Sequence, residues 1–383
     1  GDNVVTEQEA EDATHIKAIQ LTEYWRDTPT IDPTTKGWFT RGSNFREFPA
    51  HKALIGHIGS TDSNTMEMLW DTKKVNEHWN RAGGKDGTGP KQVRLPLVNN
   101  RTYNLDVDWG DGATSQFIGV YNGAAGAGDY DLSDITHTYA KKGVYRIRVS
   151  IVTPNDDDLT LSGFGGFRFW KNAWDSTKRG SDRLKLLEIR NWGPFEWLEA
   201  GADGEHYTFE DCENLDIVAT DIPKVYEQTN YSMRGAFKNC TNLKGLNIST
   251  SFKSWETELC DNMAEMFENT QFNCEIVSWN TTTVGYFDGM FRNNGAFNRL
   301  LNPKWYKPAI GPRYGTWDVS TSYSFVEMFK NATAFNQELS KWNTMAAFDM
   351  SGMFEGATSF NPSTLDSNSY SIGPNKYISW PGT

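Results

Sequence analysis

Met328-Phe329-Lys330-Asn331-Ala332-Thr333-Ala334-Phe335-Asn336 decides the reading of this chain, because Met353-Phe354-Glu355-Gly356-Ala357-Thr358-Ser359-Phe360-Asn361 repeats it 25 residues later. Working outward, the anchoring Phe recurs six times, as Phe209, Phe237, Phe267, Phe291, Phe329 and Phe354, at intervals of 28, 30, 24, 38 and 25 residues. Twelve residues before each anchor stands Trp197, Val225, Trp255, Trp279, Trp317 or Trp342. Six residues after it stands Leu215, Leu243, Phe297, Phe335 or Phe360, and the third unit, one residue shorter, offers Phe272. Five Trp at one fixed offset are not a chance pattern. An internal period of this length marks a repeat architecture.

Each column has a physical reading. In Met263-x-x-Met266-Phe267 the apolar residues sit at i, i+3 and i+4, which predicts one face of a short helical turn; Phe287/Met290/Phe291, Phe325/Met328/Phe329 and Met350/Met353/Phe354 repeat it. Two residues after the anchor the column reads Asp211, Asn239, Asn269, Asn293, Asn331, Gly356, residue types that tolerate the left-handed conformation and end a turn. The next column is Cys212, Cys240, Thr270, Asn294, Ala332, Ala357, mostly small residues suited to a tight inner position. Trp317-Asp318-Val319-Ser320 alternates apolar and polar, as a short strand does. One strand, loop and turn cannot bury its apolar face alone, but a stack can. The expected architecture over 161–383 is therefore a solenoid of the leucine-rich-repeat kind. Ile310-Gly311-Pro312 and Ile372-Gly373-Pro374 place two similar long loops at 298–316 and 361–379, and Trp380 reads as the start of a capping unit.

Upstream the period changes to two. Tyr103, Leu105, Val107 and Trp109 alternate with Asn104, Asp106 and Asp108, and Tyr145, Ile147, Val149 and Ile151 alternate with Arg146, Arg148 and Ser150. Both predict half-buried strands of an antiparallel sheet. Lys91–Val98 is expected to be an earlier strand and Gly119–Gly128 a long exposed loop. The fold class is mixed and β-rich: a small antiparallel β-sandwich over 67–160, then the solenoid with its C-terminal cap. Residues 1–66 form an N-terminal extension, read as a helix over Glu7–Trp25 followed by an extended docking segment.

These motifs resemble known families. Trp109-Gly110-Asp111-Gly112, followed by Thr136-His137-Thr138-Tyr139 and Gly143-x-Tyr145, is similar to the signature of PKD-like β-sandwich domains. The Trp-x11-Phe repeat with Met-Phe-x-x-Ala-x-x-Phe-Asn resembles the BspA-like leucine-rich-repeat surface proteins, as does the sandwich-then-repeat order. The resemblance covers about residues 67–383. It implies a bacterial surface or secreted protein concerned with adhesion, and related proteins occur in phages and protists. The chain departs from the family in its first two anchors, Thr208-Phe209 and Ala236-Phe237, and in its N-terminal extension.

Composition narrows the function classes. Lys plus Arg is 37 against 49 Asp plus Glu, a net charge of -12, which argues against nucleic acid because phosphate recognition needs a basic footprint. No run of apolar residues is long enough for a transmembrane segment. No GxSxG, HExxH, Walker loop or EF-hand loop is present, so neither an enzyme nor a cofactor is expected. Asp106, Asp108 and Asp111 are weak Ca²⁺ candidates, since Ca²⁺ takes six to eight oxygens; a turn hydrogen-bonding its own backbone explains Asp111 more simply. His137 reads as a strand residue that hydrogen-bonds across the sandwich. Cys212 and Cys240 share a column, which permits a disulfide but favours two buried small residues.

Of the 52 aromatics, 17 occupy fixed repeat columns and are rung-packing residues, so binding is sought among the other 35. Trp305, Tyr306, Arg313, Tyr314 and Tyr377 in the two long loops are the candidate contacts, being of the types that interface hot spots favour. The expected function is non-enzymatic recognition or adhesion, on the outside of a cell or virion, toward a surface protein or glycan. The alternative is a phage virion component, such as a capsid decoration, head fibre or tail-associated protein, docked on neighbouring virion proteins through residues 1–66.

Overall fold

The computed structural model describes residues 64–76, 87–97, 101–121, 136–152, 167, 169, 182–197, 207–225, 230–245, 250–301, 317–339 and 342–360. All of them belong to the second of two units, Ser60–Thr383; the first unit, Gly1–Gly59, lies outside the described residues, and with it the helix expected over Glu7–Trp25.

The described chain is β-rich with open sheets. Its strands are β1 (Thr65–Asp71), β2 (Gln92–Arg94), β3 (Arg101–Asp108), β4 (Thr114–Tyr121), β5 (Thr136–Thr138), β6 (Val144–Ile151), β7 (Leu186–Asn191), β8 (Asp216–Ile217), β9 (Tyr231–Ser232) and β10 (Cys260–Asn262). Among the described residues the one helix is α1 (Thr250–Lys253). A six-stranded sheet runs β4-β3-β6-β1-β7-β8, and β2-β5 and β10-β9 form two-stranded sheets. The sheet thus takes two strands from beyond residue 160. Antiparallel pairing holds as far as β7, which then pairs in parallel with β8 through Glu188↔Asp216 and Ile189↔Ile217. That change of direction is where the sheet gives way to the repeats.

The period-two segments form strands because each buries one face. Tyr103, Leu105 and Val107 on β3, Ile147 and Val149 on β6, and Met66, Met68 and Trp70 on β1 are buried. The opposite face is charged. There Glu67 is buried beneath arginines, with Arg148 Nε at 3.1 Å, Arg146 Nε at 3.3 Å and Arg190 Nη1 at 3.9 Å. The buried face runs without a break from this sheet into the repeats through Trp70, Phe169 and Phe209, whose ring centroids lie 5.9 Å apart at each step.

Four expectations need correction. The strand expected over Lys91–Val98 is confined to Gln92–Arg94, which pairs with β5 so that Val93 faces His137. The loop expected from Gly119 starts later: Gly119, Val120 and Tyr121 complete β4, because their partners Tyr103, Thr102 and Arg101 on β3 are there to pair with. Trp317–Ser320 makes no strand; Trp317 and Val319 are buried in alternation, but the Asp318 side chain accepts the Ser320 N–H and turns the chain instead. The Met-x-x-Met-Phe segments form no helix. Gly235, Glu265, Gly289, Glu327 and Gly352, each two residues before an anchor, have φ between 54° and 63°, and a left-handed residue there breaks a right-handed helix. Two successive tight turns reproduce the apolar spacing that reads as helical, as in the bonds from Met290 N–H to Phe287 O and from Arg292 N–H to Gly289 O.

Candidate functional site

The repeats stack in register, and the backbone sets that register. In the turn anchored by Phe291, the N–H groups of Phe287, Gly289, Phe291 and Asn293 donate to the carbonyls of Ser324, Val326, Met328 and Lys330 in the next turn, at 3.0, 2.8, 2.9 and 2.8 Å. The same four positions donate in the turns anchored by Phe237, Phe267 and Phe329. Every second residue thus bonds the following turn. The residue two after each anchor is left-handed in all six turns, with φ of 61° at Asp211 and Asn239, 56° at Asn269, 59° at Asn293, 58° at Asn331 and 71° at Gly356. Its side chain adds a second ladder: Asn239 Nδ2 donates to Asp211 Oδ1 at 2.7 Å, Asn269 to Asn239 at 3.0 Å and Asn331 to Asn293 at 2.9 Å.

Inside, the six anchors form one continuous ring stack, Phe209, Phe237, Phe267, Phe291, Phe329 and Phe354, with centroid steps of 5.5, 5.8, 5.9, 5.6 and 5.5 Å. Phe272, Phe297, Phe335 and Phe360 stack beside it at 6.4, 6.1 and 5.7 Å. The tryptophans pair in two stretches, Trp255 with Trp279 at 6.0 Å and Trp317 with Trp342 at 6.2 Å, while Trp197 meets Trp255 at 5.6 Å past the Val225 unit. Their indole N–H groups reach back: Trp279 to Phe252 O and Trp317 to Ile276 O. These rings are core residues, buried except for Trp342 and Phe360, which are partly buried against the same core.

One outer face is charged and self-neutralising. Glu265 is paired with Arg234 and Lys238, Glu268 with Lys238 and Arg292, Glu327 with Arg292 and Lys330, and Lys330 also with Glu355. Burial alone would raise the Glu265 carboxyl, but Lys238 and Arg234 hold it below the ordinary carboxylate value. Hydrogen bonds from Lys330 and Arg292 lower Glu327 likewise. Four cations face four carboxylates here, so the face offers no net charge to a partner.

A second outer face is aromatic. In the turns anchored by Phe267, Phe291, Phe329 and Phe354 the residues seven and four before the anchor both point inward, as in Val284 and Phe287, Ser322 and Phe325, or Ala347 and Met350. That spacing of three leaves a side chain between them facing out, and in three turns it is Tyr286, Tyr323 or Phe348. They are 41%, 49% and 67% exposed, and Met345 on the Phe348 turn is 71% exposed. The backbone joins them: Gly285 N–H donates to Asp261 O, Tyr323 N–H to Gly285 O and Phe348 N–H to Tyr323 O, each at 2.8 Å. The Tyr286 and Tyr323 rings are 6.1 Å apart. Gly285 makes this possible, since a Cβ there would stand 3.1 Å from the Tyr323 ring. Large apolar side chains exposed in a row on a rigid support mark an interaction surface.

The sequence reasoning placed binding elsewhere. Trp305, Tyr306, Arg313, Tyr314 and Tyr377 lie outside the described residues. Tyr286, Tyr323 and Phe348 belong to none of the repeat columns, and the turn geometry is what shows them facing out. Their signal was an aromatic immediately upstream of the repeat but outside its columns.

The remaining polar clusters are closed on themselves. Asp106 accepts from Gln116, Asp108 from Gly110 N–H and Arg148, and Asp111 from Ala113 N–H. No group of three metal-ligating side chains occurs among the described residues. His137 Nε2 lies 2.9 Å from Asp111 Oδ2, its ring stacked 4.9 Å from Trp109, and Tyr139 donates its hydroxyl to Trp109 O. Burial raises the Asp111 carboxyl, but the bonds from His137 and Ala113 outweigh it and leave it lowered. Gly110 closes this cluster, with φ of +80° and a position for Cβ only 2.3 Å from Arg146 O. Buried Lys185 donates to Thr88 O and Oγ1, Gly89 O and Gln92 O and pairs with Asp182 at 3.1 Å. Cys212 and Cys240 are both buried as free thiols, and burial pushes both thiols up.

Among the described residues, no helix is long and apolar enough to cross a membrane. Comparison with curated proteins and with solved structures found no match. Residues 206–310 and 309–373, which carry the stacked turns and together make up under half of the chain, are similar to the family described as "Mycoplasma protein of unknown function, DUF285".

Proposed function

We propose that this chain is a non-enzymatic recognition protein of a cell surface, akin to the BspA-like surface proteins, with a leucine-rich-repeat-type solenoid following a PKD-like sandwich. The stripe formed by Tyr286, Tyr323 and Phe348 carries this reading. Its rings are displayed outward on a backbone ladder with four hydrogen bonds per step, so little conformational freedom is lost on contact. Exposed aromatics on a fixed scaffold are what protein and glycan partners use as anchors. The polar clusters His137–Asp111, Lys185–Asp182 and Glu67 with its arginines have their hydrogen-bonding capacity turned inward, which favours recognition over chemistry. The similarity over 206–373 falls on the stacked turns that bear the stripe. Trp305, Tyr306, Arg313, Tyr314 and Tyr377 are proposed as flanking contacts.

The test is the triple replacement Tyr286→Ser, Tyr323→Ser, Phe348→Ser in the full chain, measured as attachment of purified protein to cells that bind the unaltered chain. Attachment should fall at least about tenfold, the effect of one hot spot. Undiminished attachment by a chain with the same circular dichroism and melting temperature would sink the proposal.

A further inference from the structure

The aromatic face also carries carboxylates, and two columns of residues make up its corner. Backbone bonds from Gly285 to Asp261, Tyr323 to Gly285 and Phe348 to Tyr323 put these four residues in one column. Single backbone bridges put Asn262, Tyr286, Ser324 and Asp349 in the next. The turns that carry them step by 5.9, 5.6 and 5.5 Å at their anchors. Asp288 leans onto the second column, where its Oδ1 accepts from the Ser324 hydroxyl and, at 2.7 Å, from Val326 N–H. Asp349 Oδ1 accepts from Ser351 N–H at 2.9 Å. Among the described residues Asp261, Asp288 and Asp349 enter no ion pair, whereas Glu265, Glu268 and Glu327 on the charged face each meet two cations. Asp261 and Glu265, on one turn, show the difference. Burial pushes both carboxyls up; Lys238 and Arg234 bring Glu265 below its ordinary value, while Asp261, opposed only by its own N–H, stays raised. The corner thus interleaves exposed rings with carboxylates that have no cation, on a chain of net charge -12.

We propose that this corner docks a basic, extended segment of a partner protein, whose arginine or lysine heads meet Asp261, Asp288 and Asp349 while their stems and guanidinium planes lie on Tyr286, Tyr323 and Phe348. The assignment rests on the stripe being the contact surface proposed for attachment, and it names the chemistry of the partner. A guanidinium both forks a carboxylate and stacks on an aromatic face, so it uses the two halves of the corner at once. The apolar stem of a basic side chain covers a ring while its head stays at the carboxylate. A neutral glycan could use the rings, but it would draw water away from three carboxylates without giving them a cation, which opposes binding. Charge complementarity of this kind selects the partner and speeds its approach.

The probe is a fluorescein-labelled synthetic peptide of alternating arginine and serine, about eight residues long so that it spans the corner when extended. Its binding to the full chain is measured by fluorescence anisotropy against a peptide with glutamine in place of arginine. The arginine peptide should bind at least about tenfold tighter. Asp261→Asn with Asp349→Asn, which keeps shape and hydrogen-bond acceptors, should weaken it about fivefold. The triple variant Tyr286→Ser, Tyr323→Ser, Phe348→Ser should weaken it about tenfold. Glu213→Gln with Glu275→Gln removes the same charge elsewhere on the turns and should cost less than about twofold. Excess arginine peptide should also compete with attachment of the full chain to cells. Equal binding of the two peptides, or equal loss in the two carboxylate pairs, overturns the cationic partner. If the ring variant loses attachment while the arginine peptide fails to compete and Asp261→Asn with Asp349→Asn attaches normally, the stripe serves another partner, such as a glycan, and the cationic partner alone is refuted. Undiminished attachment by the ring variant refutes the stripe as a contact surface, and the cationic partner with it.

Discussion

Replacing Asn293 by Gly and, separately, by Ala distinguishes the left-handed turn from the helical turn that the apolar spacing suggests. Asn293 has φ of 59°, its N–H donates to Lys330 O at 2.8 Å, and its exposed Oδ1 accepts from Asn331 Nδ2 at 2.9 Å. Both replacements lose the exposed side-chain bond, about 0.5 kcal/mol at the low end for a net hydrogen bond. Ala must in addition hold a left-handed backbone against its Cβ, at about 1–2 kcal/mol. Gly escapes that strain but gains freedom in the unfolded chain, at about 0.5–1 kcal/mol. The expected losses are about 2 kcal/mol for Asn293→Ala and about 1 kcal/mol for Asn293→Gly. In a helix the order reverses, with Ala ahead of Gly by about 1 kcal/mol. The sign of the difference therefore decides between the two. Urea unfolding followed by tryptophan fluorescence, compared at equal slope, measures it. An Ala variant as stable as the Gly variant, or more so, would refute the turn geometry and with it the ladder register.

Two further outcomes follow. Because Lys238 and Arg234 hold the Glu265 carboxyl below its ordinary value, the stability from that pair is present above the unfolded carboxyl value of about 4.3 and is lost as pH falls through the lower folded value. The melting-temperature gap between the unaltered chain and Glu265→Gln should accordingly narrow on acidification below about pH 4 and stay constant above about pH 6; a gap independent of pH contradicts the pairing. Burial pushes the Cys260 thiol up to about 12 and raises Cys212 and Cys240 as well, so a thiol reagent at neutral pH should label the folded chain hardly at all and all four cysteines once denatured. Rapid labelling of the folded chain would show that the interior of the stack is open.

Much of this was legible because a stack of like turns writes its contacts into the sequence as columns. The anchoring Phe, the Trp twelve residues before it and the left-handed Asn or Gly two residues after it each repeat, and each repetition is an independent sighting of the same site. The alternating strands β3 and β6 were legible for the related reason that a sheet with one buried face must alternate. Strand β1 was missed although Met66, Met68 and Trp70 alternate with Glu67 and Leu69. Leu69 blurs the polar face, and Glu67 is buried among arginines from β6 and β7 that sequence cannot bring beside it.

By itself, then, the sequence determined that the C-terminal half is a repeat, which rings pack inside it and which residues turn left-handed, since those properties depend only on residue type and local spacing. Tertiary structure alone decided which surface is displayed. The apolar spacing of three and four suits a helix and a pair of tight turns equally, and only the N–H bonds to the next turn choose between them. That choice turns Tyr286, Tyr323 and Phe348 outward, because hydrogen bonds between turns 24 to 38 residues apart, rather than anything local to those residues, fix which way each side chain points.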